Sequence, residues 1–254
     1  MKSYLFGLLT ALMSFTMPAQ TNVVYTDGRQ NLTGFSAPGH GYGKPGVLIL
    51  PAWFGINDHF KSIARKISSE GYYAFVADIY GEGNYPSDKK EAAELSGYYK
   101  RHVMDYRRRI RLALDELIRQ GADPKRIVVI GYCFGGTGAL EAARANFHQV
   151  KGVVSFHGGY DRDTSLAITR ILPKVLVCHG ALDPYTSTEQ LNTFQKEMNE
   201  AKADWQMIYY ANAVHSFTEP QAGDDIRTGS AYNRKADERS WKAMMDFLKE
   251  VFAG

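Results

Sequence analysis

One cysteine of the 254-residue chain stands where it could act as a nucleophile. It lies in Ile127-Val128-Val129-Ile130-Gly131-Tyr132-Cys133-Phe134-Gly135-Gly136. A free thiol is only a few per cent ionised at neutral pH, so its chemistry depends on what surrounds it. The four β-branched residues read as a fully buried strand, and Thr137–Ala145 reads as a helix. A strand that turns sharply into a helix around one residue has no room for Cβ atoms two positions before and after it. Gly131 and Gly135 stand at those positions. The turn also sets the thiol at the positive end of a helix, which favours the thiolate.

A thiol nucleophile needs a base, and the base needs an orienting acid. Asp183, in His179-Gly180-Ala181-Leu182-Asp183-Pro184, follows the apolar run Lys174–Cys178. His215, in Asn212-Ala213-Val214-His215-Ser216-Phe217, follows Trp205–Tyr210. An imidazole beside the thiol forms an ion pair with it, and the carboxylate holds the ring tautomer and stabilises its cation. The backbone N–H of Phe134 and one from Pro51–Phe54, that of Trp53, would receive the oxyanion.

The elements that must position these residues alternate. Asn22–Tyr25 and Leu32–Ala37 flank Asp27-Gly28, a hairpin signal. Val47–Leu50, Tyr73–Ala77, Ile127–Ile130, Gly152–Phe156, Lys174–Cys178 and Trp205–Tyr210 read as strands. Asn57–Glu70, Lys89–Tyr99, Met104–Gln120, Ser187–Asn199 and Arg234–Phe252 read as helices. Repeated strand-helix units imply an α/β class: a mostly parallel sheet covered by helices on both faces, with active residues beyond the C-terminal strand ends. No Pro/Gly/Ser-rich linker interrupts the pattern, so residues 20–254 are expected to form a single domain.

With chain order nucleophile, acid, base, the sequence resembles the dienelactone hydrolase family, a Cys-His-Asp branch of the α/β-hydrolases. The resemblance runs from about Gly46 to Phe252. It rests on Gly-Ile-Asn-Asp-His (55–59), Ala-Asp-Ile-Tyr-Gly (77–81), Gly-Tyr-Cys-Phe-Gly-Gly (131–136), Ser-Phe-His-Gly-Gly (155–159), His-Gly-Ala-Leu-Asp-Pro (179–184) and Ala-Val-His-Ser-Phe (213–217). It implies the α/β-hydrolase fold and hydrolysis of small esters or lactones through a cysteinyl acyl-enzyme, with no metal or organic cofactor.

The departures bear on substrate. The family's activating Glu corresponds here to Ala52, and its two carboxylate-binding Arg positions to Glu82 and Glu219. Those two anions in the pocket would repel an anionic lactone, so a neutral or cationic substrate is expected. Ala52, Phe54, Tyr80, Glu82, Tyr85, His157 and Glu219 are the expected pocket residues; Trp53 and Tyr185 are further aromatic candidates.

Composition excludes other classes. A net charge of +3 with interspersed signs gives no reason for nucleic acid. The His residues show no metal-ligand spacing. Gly41-Tyr42-Gly43-Lys44-Pro45-Gly46 matches a dinucleotide fingerprint, but it precedes a strand instead of linking strand to helix. Lys2, an apolar stretch from Tyr4 to Met17 and Pro18-Ala19 have the layout of a secretory signal peptide, residues 1–19, too short to span a bilayer. Export to a periplasmic or extracellular space is therefore expected, with no membrane span in the mature chain and a monomeric state. Cys133 and Cys178 end strands expected to be two apart in the sheet, roughly 9–10 Å, too far for a disulfide. A non-catalytic small-molecule binding protein on the same fold is the alternative reading; redox chemistry at Cys133 lacks a neighbouring resolving Cys.

Overall fold

The computed structural model describes residues 20–39, 41 and 43–253; the expected leader, 1–19, lies outside the described residues. Its strands are β1 (Thr21–Thr26), β2 (Asn31–Ala37), β3 (Lys44–Leu50), β4 (Tyr73–Val76), β5 (Ala122–Tyr132), β6 (Val150–Phe156), β7 (Lys174–Gly180) and β8 (Trp205–Tyr210). They form one sheet in the order β1-β2-β4-β3-β5-β6-β7-β8. The β1–β2 hairpin is antiparallel and joins β4 antiparallel; from β4 to β8 all pairings are parallel. The helices are α1 (Asp58–Ser69), α2 (Lys89–Arg101), α3 (Val103–Arg119), α4 (Phe134–Arg144), α5 (Thr188–Glu200) and α6 (Arg234–Ala253).

Strand periodicity divides the core in two. Leu48, Leu50, Val129, Val153 and Val177 pack with Ile110, Leu114 and Leu117 of α3, Leu140 of α4 and Phe194 of α5. Val47, Ile49, Val128, Ile130, Val154 and Leu176 face the other way, onto Phe60, Ile63 and Ile67 of α1 and Met244 and Leu248 of α6. Successive residues of one strand thus serve opposite faces, which is why these strands read as unbroken apolar runs. Each such large side chain taken fully out of water contributes about 1.5–3 kcal/mol.

Ends are set by local chemistry. The Asn57 side chain accepts from the Phe60 N–H to start α1, and Ser187 with Gln190 forms a capping box on α5. Strand β5 is longer than expected. It begins at Ala122 and passes through Asp123-Pro124, with pairing to β3 skipping from Ala122 to Ile127. Pro124 has no N–H to give a ladder, so the register breaks there and resumes at the buried run. As expected, β6 separates β5 from β7, and both Cys133 and Cys178 are free thiols. Among the described residues no helix is long and apolar enough to cross a membrane.

Candidate active site

At the end of β5 the chain reverses at Cys133, whose φ of 52° lies in the left-handed region. The flanking glycines are required by contact. A Cβ on Gly131 would lie 1.9 Å from the Gly135 carbonyl oxygen, and one on Gly135 would lie 2.0 Å from that of Leu50. Strand β3 pairs Leu50 with Gly131, so the Pro51–Phe54 loop leaves the sheet directly beside this turn.

Three loops then converge. Asp183 follows β7, with its N–H donating to the Gly180 carbonyl and its Oδ1 accepting from the Tyr185 N–H. His215 follows β8 and is held by main chain: its N–H donates to Gly229 O, and its carbonyl accepts from Ala231 N–H. Its Nδ1 lies 2.8 Å from Asp183 Oδ2 and its Nε2 3.1 Å from Cys133 Sγ. The Asp183 side chain is 1% exposed and that of His215 16%. Nδ1–H therefore donates to the carboxylate and Nε2 faces the sulfur. Burial by itself would lower the His215 pKa; the Cys133 sulfur, the Asp183 hydrogen bond and the Asp183 charge overcome it, raising it to about 10.

Two amides are left for an anion. Among the described residues, the Phe134 N–H, on the first residue of α4, and the Trp53 N–H have no protein acceptor. Each is steadied by a buried tyrosine. Tyr106 donates its hydroxyl to the Phe134 carbonyl at 2.9 Å and stacks on the Phe134 ring at 4.6 Å. Tyr80 donates to the Trp53 carbonyl at 2.8 Å and stacks on the same Phe134 ring at 5.8 Å.

A cleft of about 410 Å³ opens over Cys133 and His215. Its walls are Trp53, Tyr160 and Tyr185, the backbone of Gly158-Gly159, the polar groups Lys100, Asp161 and Gln190, and Ser216 and Ser230. The aromatic candidates Trp53 and Tyr185 thus line it. The other expected pocket residues lie off its walls, for distinct reasons. Ala52 is buried, with its carbonyl accepting from Gly55, and Phe54 packs edge-on against Trp53 at 5.4 Å. The Tyr80 hydroxyl is turned to Trp53, and that of Tyr85 donates to Asp78 at 2.8 Å. Glu82 accepts from Thr33 on β2, so it faces the hairpin. Glu219 is 8% exposed and buried behind the His215 loop, where desolvation raises its pKa to about 7. His157 is fully buried and bonds to Thr218.

Several cleft-lining positions were not singled out from the sequence as such. Gly158 and Gly159 follow a strand end and were open to the same rule that found Asp183; Gln190 was open through its capping box. Lys100 and Tyr160 carry no local signal, because α2 and the loop after β6 are placed only by packing. Among the described residues no cluster could hold a metal ion.

Known proteins resemble this chain over most of its length. A match to the dienelactone hydrolase family spans residues 33–252. A putative carboxymethylenebutenolidase of Yersinia pestis is 25% identical over 218 residues, 81% of this chain and 78% of that protein. Two solved structures superpose over 92% of this chain and 98% of theirs. They are a protein called m3DLH, 36% identical with a TM-score of 0.86, and a dienelactone hydrolase-like promiscuous phosphotriesterase from metagenomic libraries, 38% identical with a TM-score of 0.84.

Proposed function

We propose, from the premise that this chain belongs to the dienelactone hydrolase family, that it hydrolyses small carboxylic esters or lactones through a cysteinyl acyl-enzyme. The observation that carries this reading is the unbroken contact from Asp183 through His215 to Cys133 at 2.8 and 3.1 Å, beneath a cleft.

The Cys133 sulfur attacks the carbonyl carbon, and the electron pair of the C=O bond moves to oxygen. The N–H groups of Phe134 and Trp53 receive that oxyanion. Collapse breaks the bond to the leaving oxygen, which takes the proton from His215 Nε2. In the acyl-enzyme the sulfur is neutral, and the largest influence raising the His215 pKa is gone, so the imidazole is free to act as a base. It removes a proton from water, hydroxide attacks, the C–S bond breaks, and the Cys133–His215 ion pair is restored. With Ala52 where the family's Glu would be, His215 carries both proton transfers.

Glu82 and Glu219 lie off the cleft, whose walls carry both Lys100 and Asp161, so repulsion of an anionic substrate does not follow from those two glutamates. The cleft suits neutral aryl or alkyl esters against Trp53, Tyr160 and Tyr185. A lower phosphotriesterase activity is a second reading, favoured by the 38% identical relative of that description.

Turnover of p-nitrophenyl acetate and an aryl phosphotriester by the wild type, Cys133→Ala and His215→Ala tests the proposal. Loss of turnover in both variants is expected. Wild-type rates no higher than theirs would favour the non-catalytic binding protein.

A further inference from the structure

His157 ends β6 in the left-handed region, with φ of 39° and its N–H donating to the Cys178 carbonyl at 2.9 Å. That turn folds the imidazole back under Cys133. Nδ1 lies 3.2 Å from the Cys133 amide nitrogen, in a bonding geometry that needs an unprotonated Nδ1 as acceptor. The same N–H is shared with the Phe156 carbonyl at 3.0 Å. The proton of the neutral ring must then sit on Nε2, which lies 2.8 Å from Thr218 Oγ1 and donates to it. The Cys133 amide dictates the tautomer, and the Thr218 hydroxyl, able to accept as well as donate, accommodates it.

We propose that His157 is a positioning residue: in its neutral Nε2–H tautomer, with Nε2–H on Thr218, it holds the Cys133 amide and so keeps the nucleophile's left-handed turn aimed at His215. The proposal rests on the hydrolase reading for its consequence but not for its geometry.

Three features support it. Few residues other than glycine hold φ near +52° without a restraint, and the Cys133 N–H is the donor through which the protein grips that residue's backbone from the side of β6. The His157 ring also stands 5.2 Å from the ring of His215, as a wall behind the base. A protonated His157 would oppose one N–H to another at Cys133 and set a second cation beside the His215 imidazolium. Burial, then the charge of His215, and more weakly those of His59 and His179, push its pKa well below the usual histidine value and keep it neutral.

The two amide side chains separate positioning from filling space. In His157→Asn the amide oxygen can take the place of Nδ1 and accept from Cys133. In His157→Gln the amide reaches Thr218 and leaves the Phe156 carbonyl as the sole acceptor at Cys133. Both lose ring volume, so both should melt earlier by similar amounts. The pH at which Cys133 becomes reactive toward iodoacetamide should shift in His157→Gln and return toward wild type in His157→Asn. Turnover of p-nitrophenyl acetate should follow, with kcat about tenfold lower in His157→Gln and KM unchanged. The nitrogen NMR shifts of the His157 ring in the wild type should show Nδ1 bare and Nε2 protonated, and Thr218→Val should weaken that preference.

A proton on Nδ1, or alkylation profiles identical in wild type, His157→Asn and His157→Gln, would overturn the proposal. The alkylation and NMR readouts need no ester turnover, so an inactive wild type would sink the hydrolase reading and leave these results to judge His157.

Discussion

Glu219→Gln isolates a buried carboxyl within reach of the His215 charge. Glu219 is 8% exposed, with Oε1 unpartnered and Oε2 accepting from the Gln221 amide at 3.0 Å. Burial raises its pKa from 4.5 to about 7, against the opposing pull of the His215 charge and of hydrogen bonds from Ser216 and Gln221. Below pH 4.5 the group is protonated in folded and unfolded chains alike and contributes nothing to pH dependence. Between pH 4.5 and 7 the unfolded chain ionises first, so unfolding releases a proton and stability falls as pH rises. Above pH 7 the full cost, on the order of 3 kcal/mol, is present. The amide of the variant does not ionise. It exchanges one oxygen for an NH₂ group, but that cost is the same at every pH and cancels when two pH values are compared. Urea unfolding of both proteins at about pH 5 and about pH 8.5 should therefore show the wild type losing roughly 2–3 kcal/mol relative to the variant. Parallel stability profiles would refute the reasoning, because they would mean that water or a rearranged side chain solvates this carboxyl in the folded protein.

Asp183→Asn keeps the shape of the acid but can force the wrong His215 tautomer; kcat on p-nitrophenyl acetate should fall by roughly 10³–10⁴-fold with the melting temperature much less affected. Gly135→Ala places a Cβ 2.0 Å from the Leu50 carbonyl oxygen, and backbone cannot yield as a side chain can. It should cost several-fold more stability than Gly223→Ala, where nothing lies within 4 Å, as thermal melts of the pair would show, even though Gly223 has φ of 74°. Arg144, 6% exposed, bonds Glu141 and Glu197 and donates to the Tyr160 and Asp161 carbonyls on the cleft wall. Arg144→Met leaves two buried carboxylates without it and should destabilise by about 3–5 kcal/mol in urea unfolding, with a rise in KM.

How much of the site is legible in the sequence depends on the range of the forces that build it. The turn at Cys133 is legible because its cause is local: sterics between residues two apart require glycine whatever the rest of the chain does. Asp183 and His215 are legible because parallel strands deliver their C-terminal ends to one edge, so position relative to a strand is position relative to the site. Glu82 and Glu219 show where that logic stops. Each is adjacent in sequence to a site motif, yet one side chain turns to Thr33 on a hairpin from the N-terminal end of the described chain, and the other is buried behind the His215 loop. His157 follows a strand end, which in sequence makes it a pocket candidate; a positive φ at that one residue turns its ring inward to the Cys133 amide.

What the sequence determined by itself was therefore the α/β alternation, the strained cysteine turn and the placement of Cys133, Asp183 and His215 after strand ends, all of which follow from periodicity and short-range sterics. Only the tertiary structure decided which side chains face the cleft, that Lys100 and Tyr160 are among them, and that one imidazole meets the Cys133 sulfur while another meets its amide. Those outcomes depend on side-chain direction and on contacts between segments far apart in the chain, such as His157 and Thr218, separated by 61 in sequence. Residue type and spacing carry no information about either.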